Sequence, residues 1–168
     1  IINTHNAETY RPTDGVSKRE GENAGVVRVA AHLEKVLKEK YGLTTERSET
    51  IHDYPNFEKS YTNSAATLEN LLQRHPHARV VLDIHRDAGQ SKPLTATING
   101  KKVAQIRLIV GSDARLPHPN WMQNREFARQ LVEKMNELYP GLCLGYRVQS
   151  GRYNQHLHPR AVLLEVGN

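Results

Sequence analysis

Apolar positions recur along this chain with two periods, and the switches between them predict its elements. Over 20–41, Val26, Ala30, Leu33 and Leu37 fall at three- and four-residue spacing among polar residues. That pattern predicts an amphipathic helix, stopped by Gly42. Residues 60–74 repeat it with Ala65, Leu68, Leu71 and Leu72, and Pro76 ends the run. Residues 119–139 do so again with Trp121, Ala128, Leu131, Met135 and Leu138, closed by Pro140-Gly141. Residues 79–85 are instead a nearly unbroken apolar run with β-branched members, which predicts a central strand covered on both faces. Asn99-Gly100, inside 95–110, is a strong two-residue hairpin signal. Short strands are expected at 1–5, 44–51, 142–149 and 161–166, with polar loops at 6–19 and 150–160. This alternation predicts an α/β fold: one domain over 1–168, with a twisted, mostly parallel sheet flanked by helices and one β-hairpin.

Composition narrows the class. Of 168 residues, 38% are hydrophobic and 24% charged, so the chain can bury a core and is not a disordered or collagen-like sequence. Mean hydropathy is −0.66, and no apolar run approaches the ~20 residues of a membrane span. Lys and Arg total 23 against 18 Asp and Glu, a formal charge of +5. That mild excess fits nucleic acid, an anionic cell-wall polymer or an ordinary solvated surface, the last being the default. No basic stripe is interleaved with aromatics, so a nucleic-acid partner is not expected. Cys143 is the one cysteine, which excludes a disulfide framework and a cysteine-rich zinc site, and its apolar neighbours predict a buried, inert thiol.

Open α/β sheets bind ligands beyond the carboxyl ends of their strands. Three predicted strands end there in residues capable of chemistry: His5, His85 and, one residue from its strand's end, Glu165. Glu20 and Glu22 open the first predicted helix. Two imidazoles and a carboxylate around an open position make a catalytic zinc arrangement, and a further carboxylate can serve as general base. Each residue also has a plainer reading. His5 could cap a loop, His85 could pair with Asp87, and Glu165 could be buried against Arg86. Either Glu20 or Glu22 could simply favour the positive end of the helix.

Four ordered blocks then point to a family. Thr4-His5-Asn6-Ala7-Glu8-Thr9-Tyr10, Leu82-Asp83-Ile84-His85-Arg86-Asp87, the stretch His118 to Asn124, and Tyr153 through Gly167 resemble the blocks of the sporulation stage II protein P family. They span 4–167. The resemblance implies a zinc-dependent N-acetylmuramoyl-L-alanine amidase. It would cleave peptidoglycan between N-acetylmuramic acid and L-alanine, with stem-peptide cross-links as a second substrate. It implies His5 and His85 as zinc ligands, a glutamate at the first helix as the third, with register favouring Glu22 over Glu20, and Glu165 as the catalytic base. Arg86, Asn120, Asn124, Tyr153 and Asn154 are candidate substrate contacts. Sporulation stage II protein D, a glycan-cleaving partner, is expected beside it at the septum during engulfment. A membrane anchor and a final helix are expected outside this chain, in a protein acting outside the cytoplasm. A wall-binding module without turnover and a zinc peptidase acting only on stem peptides are the competing readings.

Overall fold

The computed structural model describes residues 1–89 and 92–168 and has a mixed α/β architecture. The chain is described as two compact units, Ile1–His85 and Arg86–Asn168.

The first unit is built on helices α1 (Arg11–Asp14), α2 (Gly25–Tyr41) and α3 (Ser60–Arg74) and strand β1 (Val81–His85). Helix α2 buries Val26, Val27 and Ala30. It stops where Gly42 adopts φ 64°, which lets the Gly42 and Leu43 amides donate to the carbonyls of Lys38 and Leu37. The helix starts five residues later than the apolar period predicts. The cause lies in the backbone before it: the Ala24 amide donates to Asn6 O at 2.9 Å and the Val26 amide to Glu8 O at 3.1 Å. The chain ahead of Gly25 is therefore tied to the 5–8 loop. Gly25 is the residue at this close approach, since a Cβ there would lie 3.0 Å from Thr9 Cα. Helix α3 has the predicted bounds and buries Leu68 and Leu71.

The strand expected at 1–5 reduces to one parallel bridge, Ile2 with Asp83. Ile2 N donates to Leu82 O at 2.9 Å and Ile84 N to Ile2 O at 3.0 Å. Residues 44–51 form no strand. They are held instead by the Ser48 amide on Ile1 O and by the Ile1 nitrogen on Glu46 O, 2.7 Å.

The second unit contains β2 (Thr95–Ile98), β3 (Lys101–Ala104), β4 (Ile106–Gly111), α4 (Trp121–Leu138), β5 (Cys143–Gln149) and β6 (Ala161–Val166). Strands β2 and β3 form the predicted hairpin. Asn99 and Gly100 take φ 51° and 75°, the left-handed pair that a two-residue turn requires. Strand β4 pairs parallel with β5 and antiparallel with β6. Leu108, Ile109 and Val110 on β4 and Val162, Leu163 and Leu164 on β6 are all buried, as continuous apolar runs predict. Each such side chain contributes roughly 1.5–3 kcal/mol on burial. Cys143 is buried too, and burial pushes its thiol pKa up, which leaves it inert. Among the described residues no helix is long and apolar enough to cross a membrane.

Candidate metal centre

The loop that follows the Ile2 bridge is fixed by side chains, residue by residue. Asn3 Nδ2 donates to Ile84 O at 2.7 Å. Thr4 donates twice to Asp83, from its amide to Oδ1 at 2.9 Å and from its hydroxyl to Oδ2 at 2.7 Å. Asn6 Nδ2 donates to Asn23 Oδ1, and Asn6 Oδ1 accepts from the His52 amide. The Ala7 amide donates to Asp53 Oδ2 at 2.9 Å. His52, fully buried, contacts Asn3 O through Nδ1 at 2.8 Å and Thr67 Oγ1 through Nε2 at 3.0 Å, so it is a satisfied core histidine.

Within this anchored loop the two remaining side chains, His5 and Glu8, stand one turn apart, with the Glu8 amide reaching back to His5 O at 3.4 Å. His85, at the end of β1, joins them. Each imidazole turns its Nδ1 to a different oxygen of Glu8: His5 to Oε1 at 3.9 Å and His85 to Oε2 at 3.5 Å. The two rings are 5.0 Å apart, centroid to centroid, and nearly perpendicular. One donor atom from each of the three residues lies within 4.8 Å of the others. Among the described residues this is the one group of three or more His, Cys, Asp or Glu side chains close enough to share an ion. Two nitrogens and one oxygen, half-buried on one side, are a donor set suited to zinc with three protein ligands and an open position. Phe57 stacks on His5 at 4.6 Å and is itself exposed, while Tyr61 meets the ring edge-on at 5.5 Å.

The electrostatics differ between the two imidazoles. Burial pulls the pKa of His5 down, and the neighbouring charge on His85 lowers it further. Burial also acts to lower His85, but the carboxylates of Asp83 and Glu8 outweigh it and push the ring up to about 10. Asp83 is buried, which alone would raise its pKa. The charge on His85 and the bonds from Thr4 hold it below the usual carboxylate range.

The structure brings His5 and His85 together, as expected, but not Glu22. Glu22 is exposed in the turn ahead of α2, and Glu20 is exposed and paired with Lys18 at 2.7 Å. The helix that was to carry the third carboxylate begins only at Gly25. The carboxylate in the cluster is Glu8, which the sequence reading passed over. The available signal was its place three residues after His5, a spacing that one turn converts into a shared side.

The other expected site residues lie in the second unit. Glu165, half-buried near the end of β6, stands opposite Arg107 in the β4 register. Arg86 Nη1 reaches Asp87 O at 3.5 Å. Asn120 donates to His156 O, and fully buried Asn124 donates to the carbonyls of His158 and Ala161, so both amides hold the loop over 154–161. Tyr153 and Asn154 both take positive φ, and the Tyr153 hydroxyl donates to Gln149 Oε1. His118 is 3% exposed, and among the described residues neither ring nitrogen has a hydrogen-bond partner. Burial first, then the nearby His156 and Arg152, push its pKa down to about 4.

Residues 1–168, the whole chain, match the family model described as stage II sporulation protein P. A protein of Bacillus subtilis (strain 168) named stage II sporulation protein P is 31% identical over 182 residues, covering 99% of this chain and 44% of that relative. The chain thus spans less than half the length of the curated relative it matches.

Proposed function

The chain belongs to the stage II sporulation protein P family, and from that premise we propose that it is the hydrolytic part of a sporulation protein that cuts peptidoglycan. The bond assigned is the amide between N-acetylmuramic acid and L-alanine, and the cofactor is a zinc ion held by His5, Glu8 and His85. The observation that carries this reading is the convergence of those three side chains, with donor atoms mutually within 4.8 Å.

Zinc bound by such a set would polarise the amide carbonyl and acidify a water molecule. The protein's own contributions are orientation and proton transfer. The bonds from Asn3, Thr4, Asn6 and Ala7 fix the loop, so His5 and Glu8 are aimed before any ligand arrives. Phe57 covers one face of the His5 ring. Glu165 is assigned the general base: its carboxylate accepts a proton from water and returns it to the leaving L-alanine nitrogen, so that the amine departs neutral.

The test is digestion of purified peptidoglycan by the 168-residue chain, with chelator and then with zinc restored, followed by mass spectrometry. The proposal expects intact stem peptides carrying free L-alanine amines, lost with chelator and regained with zinc. Cuts only inside the stem would overturn the amidase assignment. Binding to the wall without any released fragment would overturn the hydrolase reading itself.

A further inference from the structure

Asp83 is a carboxylate that neither the metal cluster nor the proposed chemistry uses, yet it is 5% exposed and placed with care. A charge taken out of water is costly unless it is paired and bonded. Three contacts meet that cost. Thr4 supplies two, its amide to Oδ1 at 2.9 Å and its hydroxyl to Oδ2 at 2.7 Å. The third is Nε2 of His85, 2.9 Å from Oδ1. This N–H points off the line of an ideal hydrogen bond, so the contact is electrostatic before it is directional.

The two nitrogens of His85 therefore have separate neighbours. Nε2 faces Asp83, and Nδ1 faces Glu8 at 3.5 Å. A neutral imidazole carries one proton, and its position is set by what the other side of the ring meets. Asp83 is the nearer carboxylate and is braced by Thr4, so a cation entering beside Glu8 displaces the proton of Nδ1 and the N–H toward Asp83 stays. We propose that Asp83 is a positioning residue: braced by Thr4, it holds the proton of His85 on Nε2 and so presents Nδ1 as the donor to the cation site. Thr4 belongs to the same device. It precedes His5 in the chain, so one residue braces Asp83 and leads into the neighbouring donor. The hydroxyl of Ser64 on α3 lies 2.9 Å from the Thr4 hydroxyl and extends the brace into the helix. The inference rests on the reading of His5, Glu8 and His85 as a metal site and adds to it the atom through which His85 binds.

The experiment is a zinc titration of the intact 168-residue chain against a chromophoric chelator, paired with long-range ¹H–¹⁵N spectra of the histidine rings. In the parent, zinc should shift the His5 and His85 signals and leave His85 protonated on Nε2. Asp83→Asn should weaken zinc binding roughly 10- to 100-fold, the usual cost of losing such a ligand-orienting group, and should mix the His85 tautomers. Thr4→Val, which leaves Asp83 in place, should weaken zinc by a smaller factor, with Thr4→Ser restoring it. That pair decides the matter if Asp83→Asn fails to fold. Parental zinc affinity in Asp83→Asn or in Thr4→Val, or coordination of His85 through Nε2, would overturn the inference while leaving the metal site standing. Zinc that leaves both rings of the parent unshifted would overturn the site itself, a separate outcome.

Discussion

His85 in the first unit and His118 in the second are both nearly sealed from solvent, yet their surroundings push their basicity in opposite directions. His85 sits between two carboxylates and is raised to about 10. His118 has no ring hydrogen bond among the described residues, has His156 and Arg152 nearby, and is lowered to about 4. Burial acts the same way on both, against the charged form. The sign is decided by whether anionic groups are close enough to outweigh it. A histidine that is charged at neutral pH among carboxylates marks a place where a cation is welcome, and a divalent metal can take the place of the proton. A buried histidine with no carboxylate at its ring nitrogens, as at His118, marks no such place.

The largest test of this contrast is removal of each ring. His85→Ala should lower zinc affinity by roughly 100-fold or more, beyond the cost of losing an orienting neighbour, and take wall hydrolysis to background. His118→Asn should keep the zinc affinity of the parent in the same chelator competition. Loss of zinc in the second variant would erase the distinction between the two histidines. Next in size, Glu165→Gln should slow muropeptide release roughly 10²–10⁴-fold while zinc stoichiometry stays unchanged, because a general base acts on the rate and not on the metal. A parental rate in that variant would remove Glu165 from the mechanism.

The contrast also has a pH signature, read as the thermal midpoint of the metal-free protein. His85 has a folded pKa above its ordinary 6.5, so its contribution to stability is full below pH 6.5 and fades as pH rises toward 10. His118 has a folded pKa below 6.5, so the folded state loses ground as pH falls from 6.5 toward 4, where the unfolded chain takes up the proton first. His85→Gln should flatten the alkaline limb, and His118→Asn should flatten the acid limb. Limbs that respond to the wrong variant would show that other groups govern both. The smallest effect concerns the loop over 154–161. Asn124→Ala should cost about 1–3 kcal/mol in urea unfolding, because one buried and one part-buried carbonyl lose their donor.

Much of this was legible from residue order. The period-3.6 runs placed α3 and α4, Asn99-Gly100 placed the hairpin, and the apolar run ending in His85 placed β1. Strand-end logic singled out His5 and His85, which the fold brings together. It pointed to Glu22 or Glu20 and not to Glu8 because the apolar period of α2 extends, on paper, back to Glu20. Nothing local reveals that the Asn6 and Glu8 carbonyls capture the amides of Ala24 and Val26 and delay the helix. Likewise, Asn124 reads as a polar residue beside a cleft, and only the fold shows its amide bonded to the carbonyls of His158 and Ala161. Asp83 reads as one polar residue in an apolar strand; its role depends on Thr4, 79 positions away in sequence.

The central claim is that Glu8, with His5 and His85, completes the cation site. Its most direct measurement is the zinc dissociation constant of Glu8→Gln beside that of Glu22→Gln, in one chelator competition at one pH. The account predicts at least roughly tenfold weaker binding for Glu8→Gln and an unchanged value for Glu22→Gln. Unchanged binding in the first variant with loss in the second would contradict it.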